Sequence, residues 1–196
     1  MITKRKFWTV ASLLALVGFA GSSAVAWRFT SPGAQRCDAA WAFEAANPQL
    51  LVAHADAIVV AQAVATYPGR IATSEGGEDA LPFEVVEFRV DRALKGAFPT
   101  GLVLVERAGG VEPLSGIHHV IDIDGGEFTT GHTYLLFLNE QPGDTGYYYQ
   151  VNDQGRYELA GNKLRALEPD EDPVQKLFDR RTVAEASALV RRILGQ

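Results

Sequence analysis

The sequence predicts a mainly β fold, a barrel or a sandwich, with one short helix before it and two helices after it. Short β-branched or alternating apolar segments recur through the middle of the chain, and Gly, Pro and Asp turns separate them. After residue 167 the hydrophobic period changes to that of amphipathic helices. With 196 residues, 47% of them hydrophobic and 21% charged, the chain is long enough for one globular domain. We expect the barrel at 48–167 and the helical segment at 168–196.

The first 26 residues have the pattern of a signal peptide. Lys4–Lys6 form a positive start, and the 21 residues of Phe7–Trp27 carry no charge. Ala24–Ala26 matches the small-x-small pattern that signal peptidases cleave. The alternative is an uncleaved membrane anchor, because 21 helical residues reach about 31 Å, the thickness of a bilayer core. Both alternatives predict an exported domain, either secreted or membrane-anchored through residues 7–27 alone, with a polar lead-in at 27–47.

The charge distribution argues against nucleic acid as a partner. Residues 1–36 carry five basic and no acidic side chains, whereas residues 37–196 carry 13 basic and all 24 acidic ones, a balance of −11. Such a domain repels phosphate backbones and anionic lipid surfaces. We therefore expect a basic or neutral protein, or another envelope component, as the partner. The single cysteine, Cys37, excludes an internal disulfide, so it stays free or pairs with another chain.

The elements follow in order along the chain. Asn47 and Pro48 fit the N-cap and first position of a helix over Gln49–Ala55. The alternation of Phe83–Val90 predicts one buried and one solvated face, whereas the apolar run Tyr134–Leu138 predicts a central strand covered on both faces. The full set of predicted strands is Ala57–Ala65, Phe83–Val90, Leu102–Val105, Gly116–Ile123, Tyr134–Leu138, Tyr147–Val151, Arg156–Leu159 and Lys163–Leu167.

Turn residues and caps set the limits of these elements. Tyr67-Pro68-Gly69 is expected to end the first strand, with a loop at Arg70–Ala80 after it. Asp172 is expected to cap the first C-terminal helix, and Thr182 with Glu185 forms a capping box at the start of the second. The second helix, predicted to pack on or plug an end of the barrel, has an apolar stripe of Val183, Ala186, Leu189, Val190 and Ile193.

Four segments occur in an order that resembles a known family. They are Ala55–Val60, Phe83–Val90, Ala93–Gly96 with the letters ALKG, and Gly131–Leu138 with the letters GHTYLLFL. This order is similar to that of the bacterial exported relatives of the netrin-like domain found in tissue inhibitors of metalloproteinases (TIMPs). The resemblance covers about Ala55–Tyr149 and implies an OB-like barrel that binds or inhibits without catalysis. The zinc-chelating N-terminal cysteine of those inhibitors does not carry over, because Cys37 lies ten residues beyond Trp27.

Motifs for catalysis and cofactor binding are absent from the sequence, and we expect no cofactor. There is no HExxH, GxSxG, P-loop, paired CxxC or dinucleotide fingerprint. The His118–Asp124 region is the one cluster that resembles metal ligands. On an extended strand His118 and Asp122 would lie about 13 Å apart, too far for one ion unless Asp122–Gly126 folds back. An envelope hydrolase or metal-binding protein using this region remains the alternative function.

A group of tyrosines supplies the candidate ligand-binding residues. Tyr147 and Tyr149 share one face of a predicted strand, and Tyr157 lies on the following strand. Exposed across a hairpin, these rings would stack on a sugar or a protein partner. The alternative is that they cover the barrel as cross-strand pairs. The leading hypothesis is therefore an exported, non-enzymatic binding module of the cell envelope.

Overall fold

The computed structural model describes residues 35–37, 43–73, 80–111, 118–121, 127–143, 146–167 and 169–196. Its strands are β1 (Gln35–Cys37), β2 (Ala57–Thr73), β3 (Ala80–Lys95), β4 (Leu102–Ala108), β5 (Gly110–Val111), β6 (His118–Ile121), β7 (Thr133–Glu140), β8 (Tyr147–Gln150), β9 (Arg156–Ala160) and β10 (Lys163–Arg165). Its helices are α1 (Pro48–His54), α2 (Pro173–Phe178) and α3 (Val183–Leu194), with a 3-10 turn at Asp153–Gly155. The predicted mainly β architecture, with a short helix before the sheet and two after it, is confirmed.

Residues 36–196 form a compact unit of their own. The predicted signal peptide or anchor at 1–26, and the lead-in up to residue 34, lie outside the described residues. Within the described ranges, no helix has both the length and the apolar composition that crossing a membrane requires.

Five strands form a partly closed ring. β2 pairs antiparallel with both β3 and β7, β3 with β4, and β7 with β8. The ring closes where β8 runs parallel to β4, with Leu104 opposite Tyr147 and Val105 opposite Tyr148. β9 pairs with Tyr134–Leu136, further along the edge of β7 that β8 also uses, and β10 pairs with β9, which gives seven strands in all. Closing so few strands requires them to tilt and stagger, which their register shows.

Strand β7 is covered on both faces, as its apolar sequence predicts. Leu135 and Phe137 belong to a core shared with the helices. Tyr134, Leu136 and Leu138 belong to a second core inside the ring. Because successive side chains of a strand point to opposite faces, this one strand separates the two cores.

The helices begin where the sequence predicts. The Asn47 side chain accepts the Leu50 backbone N–H at 2.9 Å, and the Asp172 side chain accepts two N–H groups of α2. The capping box between Thr182 and Glu185 is present at the start of α3. α3 packs on the sheet through its predicted stripe, in the same core as β7, β9 and α1.

Strand β2 is longer than predicted. Tyr67-Pro68-Gly69 were expected to end it and Arg70–Ala80 to form a loop, but β2 continues to Thr73 and β3 begins at Ala80. The register shifts between Pro68 and Ile71, and an irregular strand tolerates the missing proline N–H. Glycine fits at position 69 because a Cβ there would lie 2.9 Å from the Phe83 carbonyl oxygen. The expected turn is therefore an irregularity within the long pairing of β2 with β3, where β3 also pairs with β4.

A lysine from β3 caps the C-terminal end of α1. Lys95 Nζ donates to the carbonyl oxygens of Val52 and Ala53 at 3.0 and 3.2 Å, and also to that of Ala55. A cation at this end complements the helix dipole. We expect Lys95→Met to lower the free energy of unfolding by about 1–2 kcal/mol, measured by urea denaturation. Lys163→Met, at an exposed position, is the control, and an equal loss in both variants would contradict the capping role.

Candidate binding face

The three candidate tyrosines do not form one surface. Tyr147 and Tyr149 on β8 are partly exposed, but Tyr157 on β9 is fully buried, with its ring packed against Phe137 and Phe178. The expected hairpin between their strands does not form, because β8 and β9 follow each other along the same edge of β7, with β8 opposite Leu138–Glu140 and β9 opposite Tyr134–Leu136. Placing Tyr157 among exposed ligand-binding residues is therefore corrected: its ring belongs to the core. Burial raises the pKa of its hydroxyl well above the usual value, and Asp172, Asp153 and Asp179 add to the effect.

Tyr147 lies on the side of the ring that faces away from its interior. Val86 and Val105 oppose each other and belong to the ring core. Because successive side chains of a strand point to opposite faces, the two adjacent pairs, Val85 with Glu106 and Glu87 with Leu104, point outward. Tyr67 opposes Val85 and is 48% exposed, which places it on the same side. We call this surface the outer face, and its members are Tyr67, Val85, Glu87, Leu104, Glu106 and Tyr147.

A pocket of about 250 Å³ opens on the outer face. It is large enough for one side chain of a partner but not for an extended ligand. Pro68, Val85 and the Tyr147 ring give it apolar walls, whereas Arg70 and Glu106 give it charge. The complete lining is Pro68, Gly69, Arg70, Val85, Glu106, Gln141 and Tyr147.

The charged side of the pocket is an ion pair that the sequence does not reveal. Arg70 Nε donates to both carboxylate oxygens of Glu106 at 3.0 Å, and the guanidinium carbon lies 4.3 Å from the centroid of the Phe83 ring. The Glu106 side chain is 8% exposed and that of Arg70 is 50% exposed. The one sequence signal is a glutamate that directly follows the apolar run Leu102–Val105. Nothing in the sequence links it to Arg70, which was expected in a loop.

A second ion pair lies behind this face. Arg107 Nη1 donates to Glu84 Oε1 at 2.6 Å, and the two side chains are only 2% and 13% exposed. Arg107 Nε and Nη2 are buried, and among the described residues they have no hydrogen-bond partner. Because these two residues oppose each other on β3 and β4, the pair fixes the strands that carry Val85 and Glu106.

A separate pocket of about 370 Å³ lies near β9 and β10. At its edge His132 Nδ1 lies 2.7 Å from Glu158 Oε1, and Arg165 Nη2 donates to Glu158 Oε2 at 2.5 Å. Partial burial acts to raise the pKa of Glu158, but the hydrogen bonds from Arg165 and His132 outweigh it and lower that pKa. Glu158 is therefore an ionised structural anchor with both oxygens occupied, which does not suit it to proton transfer. The full lining of this second pocket is Glu127, Thr129, Tyr134, Arg156, Glu158, Arg165, Ala166 and Leu167.

The lowered pKa of Glu158 gives a pH-dependent contribution to stability. Because the folded pKa lies below the unfolded value, the contribution is complete above about pH 4.3 and is lost as the pH falls through the folded pKa. We expect Glu158→Gln to lower the free energy of unfolding by about 1 kcal/mol at neutral pH, and we expect this loss to shrink as the pH falls through the folded pKa. Urea denaturation over a series of decreasing pH values measures this. Glu171→Gln, at an exposed position before α2, is the control, and a Glu158→Gln loss that stays the same at every pH would contradict the assignment.

The alternative site at His118–Asp124 falls partly outside the described residues. The backbone of His118–Ile121 forms β6, which pairs with β5, but Asp122 and Asp124 lie outside. In the part of the chain that the structure describes, no three metal-ligating side chains gather. The alternative function, an envelope hydrolase or metal-binding protein using this region, stays a prediction.

Comparison with known proteins leaves the family open. No protein-family description matches the chain, and no curated protein is significantly similar to it. The resemblance of Ala55–Tyr149 to the netrin-like domain therefore stays a prediction.

Proposed function

We propose that this chain is an exported, non-enzymatic binding module of the cell envelope, and that its outer face contacts a protein partner. One observation carries the proposal: a pocket the size of a side chain lies among partly exposed tyrosines and holds an ion pair. Tyr67 is 48% exposed, Tyr147 lines the pocket, and Leu102 nearby is 41% exposed. Tyrosine, arginine and apolar side chains around a central pocket are the composition typical of protein interfaces.

The order of the ring strands supports an OB-like barrel. An OB-fold is a partly open five-stranded Greek-key barrel that binds its ligands on its second and third strands and on the loop between its fourth and fifth. In chain order the ring strands here are β2, β3, β4, β7 and β8. The outer face is centred on β3 and β4, the second and third of them, with Tyr67 of β2 and Tyr147 of β8 on its two sides. Gln141, at the start of the fourth connection, lines the pocket.

The charge of the domain narrows the class of partner. Residues 37–196 have a balance of −11, so the oligonucleotides that many OB-folds bind are poor partners for this one. A basic or neutral protein surface is favoured instead. We expect the membrane to be contacted only through residues 7–27, if these are not cleaved.

Photo-crosslinking of the full chain in its own cells tests the proposal. We expect a benzophenone side chain in place of Tyr147 to give one discrete protein adduct. The same group at Ala184, exposed on α3, should give none. Tyr67→Ser should reduce the Tyr147 adduct by about fivefold or more, because removing an interface tyrosine costs at least about 1 kcal/mol. Equal adducts at the two positions, or no adduct at Tyr147, would refute the proposal.

A further inference from the structure

We infer that the pocket of the outer face takes a guanidinium group, from an arginine of the partner, and that Arg70 occupies its place in the unbound protein. The inference rests on the proposed function and names the chemistry that the outer face recognises. Its basis is the pairing of a nearly buried carboxylate, Glu106, with a half-exposed cation of the same chain.

The contact between Arg70 and Glu106 is incomplete as a carboxylate–guanidinium pair. Only Nε of Arg70 contacts Glu106, and it reaches both oxygens at 3.0 Å. A complete pair uses two parallel N–H donors, one for each oxygen. Both oxygens of Glu106 can therefore accept further hydrogen bonds from a guanidinium that enters the pocket. Because the carboxylate is nearly buried, such hydrogen bonds are stronger than they would be in water.

Arg70 is also easy to displace. Its side chain is 50% exposed, and a half-exposed ion pair contributes at most about 1 kcal/mol. It lies between Pro68 and Ile71, where the register of β2 is irregular. Moving this side chain outward leaves the ladder between β2 and β3 unchanged, so Arg70 can yield to a partner without a change in the fold.

The surroundings of the Glu106 carboxylate suit arginine better than lysine. The Phe83 ring already lies 4.3 Å from the Arg70 guanidinium carbon, and a planar guanidinium stacks on such a face. Val85, Pro68 and Tyr147 provide apolar surface for the methylene stem of a side chain.

Charge on the outer face favours the same ligand. Glu87 adds a second carboxylate, and Tyr67 Oη donates to its Oε2 at 3.4 Å. Arg89, further along β3, is balanced by Asp91 at 3.8 Å. Once Arg70 moves outward, the carboxylate of Glu106 gives the pocket a negative electrostatic potential, which attracts a cation.

Titration of the purified full chain with n-butylguanidinium, followed by amide chemical shifts, tests the inference. We expect saturable shifts at Tyr147 and Gln141 with a dissociation constant of about 1–10 mM, as befits so small a ligand. The neutral isostere n-butylurea should bind about tenfold more weakly, since it lacks the charge. Arg70→Ala should tighten binding about fivefold by removing the competing group, and Glu106→Gln should abolish it. Arg89→Ala is the matched control and should leave binding unchanged.

Equal shifts with n-butylurea, or weaker binding by Arg70→Ala than by the natural chain, would overturn the inference. If Glu106→Gln fails to fold, the comparison of n-butylguanidinium with n-butylurea and the Arg70→Ala variant still test the inference. If guanidinium binding fails but the Tyr147 crosslink forms, only this inference is wrong. If the Tyr147 crosslink also fails to form, the proposed function is wrong as well.

Discussion

Phe137→Ala is expected to lower the free energy of unfolding by about 3–5 kcal/mol. Phe137 is fully buried at the centre of β7. Its ring packs edge-on against Tyr157 at 6.2 Å and Phe178 at 5.4 Å between centroids, so one side chain joins β7, β9 and α2. The substitution leaves a cavity that two strands and a helix cannot fill without moving.

Denaturant unfolding followed by circular dichroism measures this loss. The control is Phe98→Ala, because Phe98 is only partly buried and contacts Tyr148 at 5.7 Å. We expect that control to lose about 1–2 kcal/mol, in proportion to the smaller apolar area it buries. If the two variants lost equal amounts, Phe137 would not be at the junction of sheet and helices.

Glu84→Leu is expected to destabilise the protein by about 3–5 kcal/mol, because it leaves the Arg107 cation buried without its carboxylate. The double variant Glu84→Leu with Arg107→Met removes both charges and should regain most of that loss. Asp91→Leu, which breaks the exposed pair with Arg89, should cost less than about 1 kcal/mol.

Thermal and urea unfolding of these variants separate the effect of burial from that of charge. A Glu84→Leu loss no larger than that of Asp91→Leu would show that the Glu84–Arg107 pair is solvated. A double variant no more stable than Glu84→Leu alone would show that the loss comes from packing and not from an unpaired cation.

Local signals made much of the fold predictable from the sequence. Asn47, Asp172 and Thr182 cap the helices that follow them, because a cap depends only on residues within one turn. The continuous apolar run Tyr134–Leu138 predicted a strand covered on both faces, because neither face of it could be solvated.

What the sequence did not reveal depends on which strands pair. Pro68 and Gly69 are common turn residues, yet the long pairing of β2 with β3 carries the chain through them as a bulge. Tyr157 was expected beside Tyr147 because adjacent strands often form hairpins, but β8 and β9 follow each other along one edge of β7 and do not pair. The pairing of Arg70 with Glu106 exists only because the ring brings β2 and β4 together on either side of β3.

The closure of the ring by β8 against β4 places Tyr147 and Glu106 in one pocket. Nuclear Overhauser contacts between backbone protons test this closure directly in the full chain. We expect contacts from Tyr148 to both Val105 and Glu140, its partners on the two neighbouring strands. Contacts from Tyr148 to Tyr157 in a hairpin, with none to Val105, would contradict the ring and the binding face built on it.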